Sequence, residues 1–126
     1  MYKELGYFTK KKILRKANFL ELTPVRKFQH ETDEEGNVVI LIPRFTGFFG
    51  KKLLQPRLRY PYIKLSLDEA GSITWLLADG NTPINAICLH AEKKLGDKIS
   101  PATDRVTTFF SQLYMRKLIT FKEILK

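Results

Sequence analysis

From residue 63 to residue 96 the apolar positions follow two different periods. Ile63, Leu65 and Leu67 are separated by Lys64 and Ser66, the two-residue repeat of a strand covered on one side. Ala70, Ile73, Leu76 and Leu77 then recur at the spacing of one helical face. Asp68 stands before them as an N-cap carboxylate. Asp79-Gly80 stands after them, and glycine takes a left-handed C-cap without a Cβ penalty. Thr82 and Pro83 read as the cap and first residue of a second helix, with Ile84, Ile87, Cys88, Ala91 and Leu95 along one side and Gly96 at its end. A strand feeding two short helices across a tight turn is the skeleton of a helix-turn-helix module with a sheet attached.

The same reading extends to the flanks. Thr23-Pro24 marks an extended start, since proline disfavours helix before it. A polar turn, Asp33-Glu34-Glu35-Gly36-Asn37, separates an imperfectly alternating run from the β-branched run Val38–Ile42. The pair predicts a hairpin with strands near 25–32 and 37–43. Its second strand is nearly all apolar, so both of its faces should be covered. Tyr62 to Leu67 is then the third strand. Ser100 and Pro101 repeat the cap-plus-proline start, and a third helix runs to about Lys117 with Val106, Phe109, Phe110 and Leu113 inward. Leu118-Ile119-Thr120-Phe121 either adds a last strand or packs down. The expected architecture is α+β and winged-helix-like: a three-stranded antiparallel sheet followed by a three-helix bundle. Trp75, Leu76, Ile87, Phe109 and Leu113 are expected in one core. One domain spans 23–126, with an insertion at 44–61, after a basic extension at 1–22.

The ordered series Leu67-Asp68-Glu69, Gly71, Trp75-Leu76-Leu77, Asp79-Gly80, Thr82, Ile87 and Leu95-Gly96 resembles the PqqD family. Arg105, Phe109 and Leu113, and the closing Leu118-Ile119 and Phe121, extend the likeness through the second half of the chain; Pro43-Arg44 matches loosely. PqqD is the small pyrroloquinoline quinone synthesis protein, a recognition element that presents a precursor peptide to a radical SAM enzyme. The resemblance implies a non-catalytic peptide chaperone whose partners are a leader peptide and a modifying enzyme; the chain itself is expected to be a monomer or homodimer. It also implies that the peptide adds as a strand along Tyr62, Ile63, Lys64, Leu65 and Ser66, beside a third helix that offers Arg105, Thr108, Gln112 and Arg116. The basic extension and the 44–61 segment depart from the family's minimal pattern.

Composition changes this picture little. A chain of 126 residues that is 44% hydrophobic and 28% charged suits one modest globular domain. No apolar run approaches the roughly 20 residues that span a bilayer. The basic amino terminus lacks the apolar stretch and cleavage site of a signal peptide, so a cytoplasmic location is expected. Charge is more informative. The formal net charge is +9, and residues 1–62 hold most of it, with 13 Lys and Arg against 6 Asp and Glu; residues 63–126 have 9 against 7. Such a surface favours acidic partners or simply solubilises. Residues 1–22 fit either a short amphipathic helix or a frayed basic tail. Residues 44–61 place Phe45, Phe48, Phe49 and Tyr60 among five cations, with a short helix expected near 50–54. That mixture suits core-capping aromatics with solvated cations, or a stacking surface for single-stranded nucleic acid.

Catalytic constellations are lacking. His30 and His90 are isolated, Cys88 falls on an apolar helix face, and no Cys/His/Asp cluster has metal-ligand spacing. No cofactor is expected. The alternative to peptide presentation is a winged helix-turn-helix that binds nucleic acid, given the positive charge. Against it, the charge lies outside the helical half, and Asp104 sits near the start of the helix that would enter a groove.

Overall fold

A computed structural model describes Gly6, residues 18–43 and residues 62–125. The expected amino-terminal helix or tail through residue 17, the helix near 50–54 and the aromatic-cation mixture of 44–61 lie outside the described residues. The chain is α+β, with strands β1 (Pro24–Arg26), β2 (His30–Thr32), β3 (Val38–Pro43), β4 (Tyr62–Ser66) and β5 (Ile119–Phe121). Its helices are α1 (Glu69–Leu77), α2 (Ile84–Leu95) and α3 (Ala102–Met115). Two compact units are formed: Phe28–Asp68 makes one, and the segments on either side of it make the other.

The helical unit is closed by its two ends. β1 pairs antiparallel with β5, Val25 opposite Thr120, and Lys27 N–H donates to Leu118 C=O just beyond. The chain running into β1 is part of the core: Leu22 is buried, and its carbonyl accepts from Ile84 N–H at 2.9 Å. Thr23 gives its N–H and its hydroxyl to the two carboxylate oxygens of Glu123, at 2.8 and 2.9 Å. Phe121 meets Phe19 edge to face and Tyr114 at a tilt, with ring centroids 5.7 and 5.0 Å away. These pairings contradict a hairpin strand running unbroken through 25–32. Residues 24–26 belong to one sheet and 30–32 to another, because the carboxy-terminal strand claims the first piece.

The helices show why an apolar pattern is an incomplete guide. α2 buries Ile84, Ile87, Cys88, Ala91 and Leu95, as its spacing predicts. α1 does not follow its pattern. Its buried residues are Gly71, Ser72, Thr74 and Trp75, and Leu76 is 48% exposed. Burying the indole of Trp75 completely fixes the helix rotation, and small residues flank it where the packing is closest. Leu76 therefore leaves the expected core, while Ile87 and Leu113 stay buried and Phe109 is half-buried. Thr74 remains satisfied inside, its hydroxyl donating to Ala70 C=O at 2.8 Å.

Helix ends also differ from expectation. Neither Thr82 nor Ser100 caps with its side chain; Pro83 and Pro101 hold the N-cap positions of α2 and α3. The first amide of α2 has the Leu22 carbonyl instead, so a tertiary contact does the work of a cap. After α1, Asp79 accepts from Asn81 N–H at 2.8 Å and Gly80 adopts φ 80° while donating to Pro24 C=O. α3 stops at Met115 in a Schellman arrangement: Leu118 N–H reaches Leu113 C=O, and Lys117 N–H reaches Tyr114 C=O. The left-handed residue there is Lys117, φ 63°, where glycine is usual.

Among its described residues the other unit is a three-stranded antiparallel sheet in the order β2-β3-β4. Its β2–β3 turn is organised by Asp33, whose carboxylate accepts from the amides of Glu35 and Asn37, both at 2.9 Å, while Gly36 supplies φ 84°. Val38, Val39 and Ile40 are consecutive and all buried, so the first half of β3 is covered on both faces.

Candidate functional site

β4 is an edge strand: β3 lies on one side, and no strand among the described residues lies on the other. The hydrogen-bond phase shows which groups are left over. β3 and β4 pair with Ile40 opposite Leu65 and Ile42 opposite Ile63. Leu67 N–H donates to Val38 C=O, which makes Val38–Leu67 a bonded pair. Antiparallel pairs alternate between bonded and non-bonded, so Leu65 and Ile63 are bonded to β3 as well. The Leu41 amide confirms the phase from the other side, since it donates to Gln29 C=O towards β2. The main-chain N–H and C=O of Tyr62, Lys64 and Ser66 therefore turn to the edge away from β3, which no strand among the described residues occupies. A row of such groups is a template for another strand.

Side chains divide along the same strand. Opposite residues in a ladder share a face. One face of the sheet carries Tyr62, Lys64 and Ser66 beside Leu41 and Val39; the other carries Ile63 and Leu65 beside Ile42 and Ile40. Ile63 is 49% exposed, a large apolar side chain left at the rim. On the first face the Lys64 ammonium meets the Glu31 carboxylate of β2 at 2.9 Å, reaching diagonally over β3. Glu31 has no sequence signature that marks it. Only the register of three strands brings it to Lys64.

Arg105, Thr108, Gln112 and Arg116 are all exposed. Their spacing of three, four and four residues places them along one side of α3 and its C-cap. They belong to the helical unit, whereas Tyr62, Ile63, Lys64, Leu65 and Ser66 belong to the sheet unit. Within each group the structure brings the expected residues together: five in one edge strand, four in one helical stripe. Met115 is 81% exposed beside that stripe, a feature that periodicity does not single out.

Elsewhere the chemistry is sparse. Among the described residues, no three His, Cys, Asp or Glu side chains converge to hold a metal ion. Cys88 is buried, and desolvation pushes its thiol above the ordinary range, which makes it a poor nucleophile. His90 is exposed on α2. An open depression at the start of α3 is lined by Glu92, Asp97, Ser100, Thr103 and Asp104. Three carboxylates there oppose the phosphate that a helix amino terminus would otherwise attract. No helix among the described residues is long and apolar enough to cross a membrane. Comparisons with protein-family models, curated proteins and solved structures returned no match.

Proposed function

We propose that this chain is a non-catalytic peptide-binding module that takes up an extended segment as an additional strand on β4. One observation carries the reading: Tyr62, Lys64 and Ser66 direct their main-chain donors and acceptors to an edge that no described strand occupies. Strand addition draws affinity from main-chain hydrogen bonds and selectivity from the alternate side chains beside them. The resemblance to the PqqD family supports the same edge and supplies the rest of the proposal. It makes the fold winged-helix-like, the ligand a precursor's leader segment, and the modifying enzyme that receives it a radical SAM enzyme. The α3 stripe enters the reading through that resemblance alone. Arg116→Glu tests it separately, with an expected loss of about 1 kcal/mol or less for an exposed charge, shrinking as salt is added.

The decisive variant is Lys64→Pro. Proline has no N–H, and at this residue the amide faces outward, so the β3–β4 ladder keeps all its bonds. The strand stays paired on one side and becomes unable to extend on the other. Synthetic extended peptides titrated into the labelled protein should move the amide resonances of Tyr62, Lys64 and Ser66, and Lys64→Pro should abolish binding while circular dichroism stays unchanged. Wild-type binding by folded Lys64→Pro refutes the edge as the site.

A further inference from the structure

We infer that the ligand strand on β4 carries a carboxylate at the position facing Lys64, between two apolar residues, and that Glu31 sets the strength of that preference. The inference rests on the strand-addition reading and names the chemistry of its ligand. It follows from the register. A residue placed opposite Lys64 in an added strand projects from the face that holds Lys64, while its two neighbours project from the face that holds Ile63 and Leu65. The apolar neighbours would cover Ile63, which is otherwise half exposed.

The Lys64 ammonium has three donors, and Glu31 Oε1 engages it at 2.9 Å. Its side chain remains 61% exposed, so a second carboxylate can approach without displacing the first. Glu31 acts on that approach in two ways. Its negative charge offsets the lysine and repels the incoming acid, and its contact draws the ammonium across the sheet, away from the edge. Glu31 is thus a specificity-determining residue that touches no ligand. A lysine within an edge strand also discourages a second copy of the chain: an antiparallel self-pairing centred on residue 64 sets Lys64 against itself.

The test uses a pair of short synthetic peptides that differ only in a central glutamate or glutamine, with valine on both sides. Calorimetry gives affinity, and the amide shifts of Tyr62, Lys64 and Ser66 give location. At low salt the glutamate peptide should bind about two- to fivefold more tightly, the range of a cross-strand ion pair. Glu31→Gln should widen the ratio, Lys64→Gln should remove it, and high salt should narrow it in both the wild type and Glu31→Gln. Moving the glutamate one position along, to the face of Ile63 and Leu65, should weaken binding. Equal affinities for the two peptides in the wild type and in Glu31→Gln, with β4 amides still shifting, overturn this inference and leave strand addition standing. Failure of both peptides to bind removes strand addition and the inference with it. Concentration-dependent protection of the outward β4 amides without peptide overturns both in favour of self-pairing.

Discussion

Thr120 offers a test of how the two chain ends are joined. It lies in β5 opposite Val25, is completely buried, and its hydroxyl has no hydrogen-bond partner among the described residues. A hydroxyl taken from water without compensation destabilises the fold by about 1–3 kcal/mol. Valine has nearly the same shape and the same β-branched stiffness, and it suits a strand at least as well. Thr120→Val should therefore stabilise the protein by about 1–2 kcal/mol, since it removes the desolvation penalty without opening a cavity. Urea unfolding monitored by Trp75 fluorescence reads the change as a higher midpoint at constant m-value. Thr120→Ser is the control. It keeps the hydroxyl and deletes a buried methyl, and should destabilise by about 1 kcal/mol. If Thr120→Val instead destabilises the protein, the hydroxyl has a partner, such as a buried water, and the account of this strand pair is wrong.

Three further outcomes follow from the turns. Lys117→Gly should raise stability by about 0.5–1 kcal/mol, because glycine takes the left-handed C′ position of α3 without the Cβ clash; an unchanged urea midpoint would count against strain there. Gly80→Ala should lower stability by about 1–2 kcal/mol, since φ is 80°, a left-handed conformation that a Cβ disfavours even though its contact with Val25 Cγ2 would be an ordinary one; equal thermal midpoints would contradict this. The Asp79 carboxyl is held below its ordinary value of 3.8, chiefly by the Asn81 amide it accepts from. A depressed pKa in the folded state gives stability that is present above 3.8 and is lost as pH falls through the lower folded value. Asp79→Asn should flatten that acid limb in a series of unfolding curves, and an unaltered limb would assign the loss to other groups.

Local chemistry made some of this structure legible in advance. The strand at 62–66, the buried face of α2 and the Asp33 turn follow from residues close together in sequence; Gly80 takes the expected positive φ, but it lies past the end of α1 and donates to Pro24 instead of capping the helix. What was not legible depends on distance along the chain. β1 pairs with a strand about 95 residues later, and nothing near Val25 announces Thr120 as its neighbour. That pairing splits the run 25–32 and satisfies the first amide of α2 through Leu22. The rotation of α1 was hidden for a different reason. Counting apolar residues gives Leu76 the same weight as Trp75, but one indole has far more surface to bury than one leucine. Packing then favours the helix face where Gly71, Ser72 and Thr74 allow close approach.

The candidate site divides in the same way. Alternation alone predicts which β4 side chains share a face. Which main-chain groups remain unused depends on hydrogen-bond phase, and a single bond, Leu67 N–H to Val38 C=O, settles it. That phase gives Lys64 two roles that a sequence cannot separate. As an edge residue it is a guard, because a charge that must be desolvated or paired discourages indiscriminate strand addition. As the residue at the middle of β4 whose amide turns away from β3, it is also the position where the proposed strand would bond, while Glu31 holds its ammonium from the other side. On the proposed reading guard and selector would be one physical device: a lysine disfavours a strand that desolvates it without adding an acid and favours one that brings an acid. On that proposal Glu31 would tune the preference from across the sheet. Its contact keeps the Lys64 ammonium paired, so this strand does not expose an unpaired charge. Removing either partner should change the choice among ligands more than it changes the fold, because both side chains are about half exposed or more and exposed ion pairs contribute about 1 kcal/mol or less to stability.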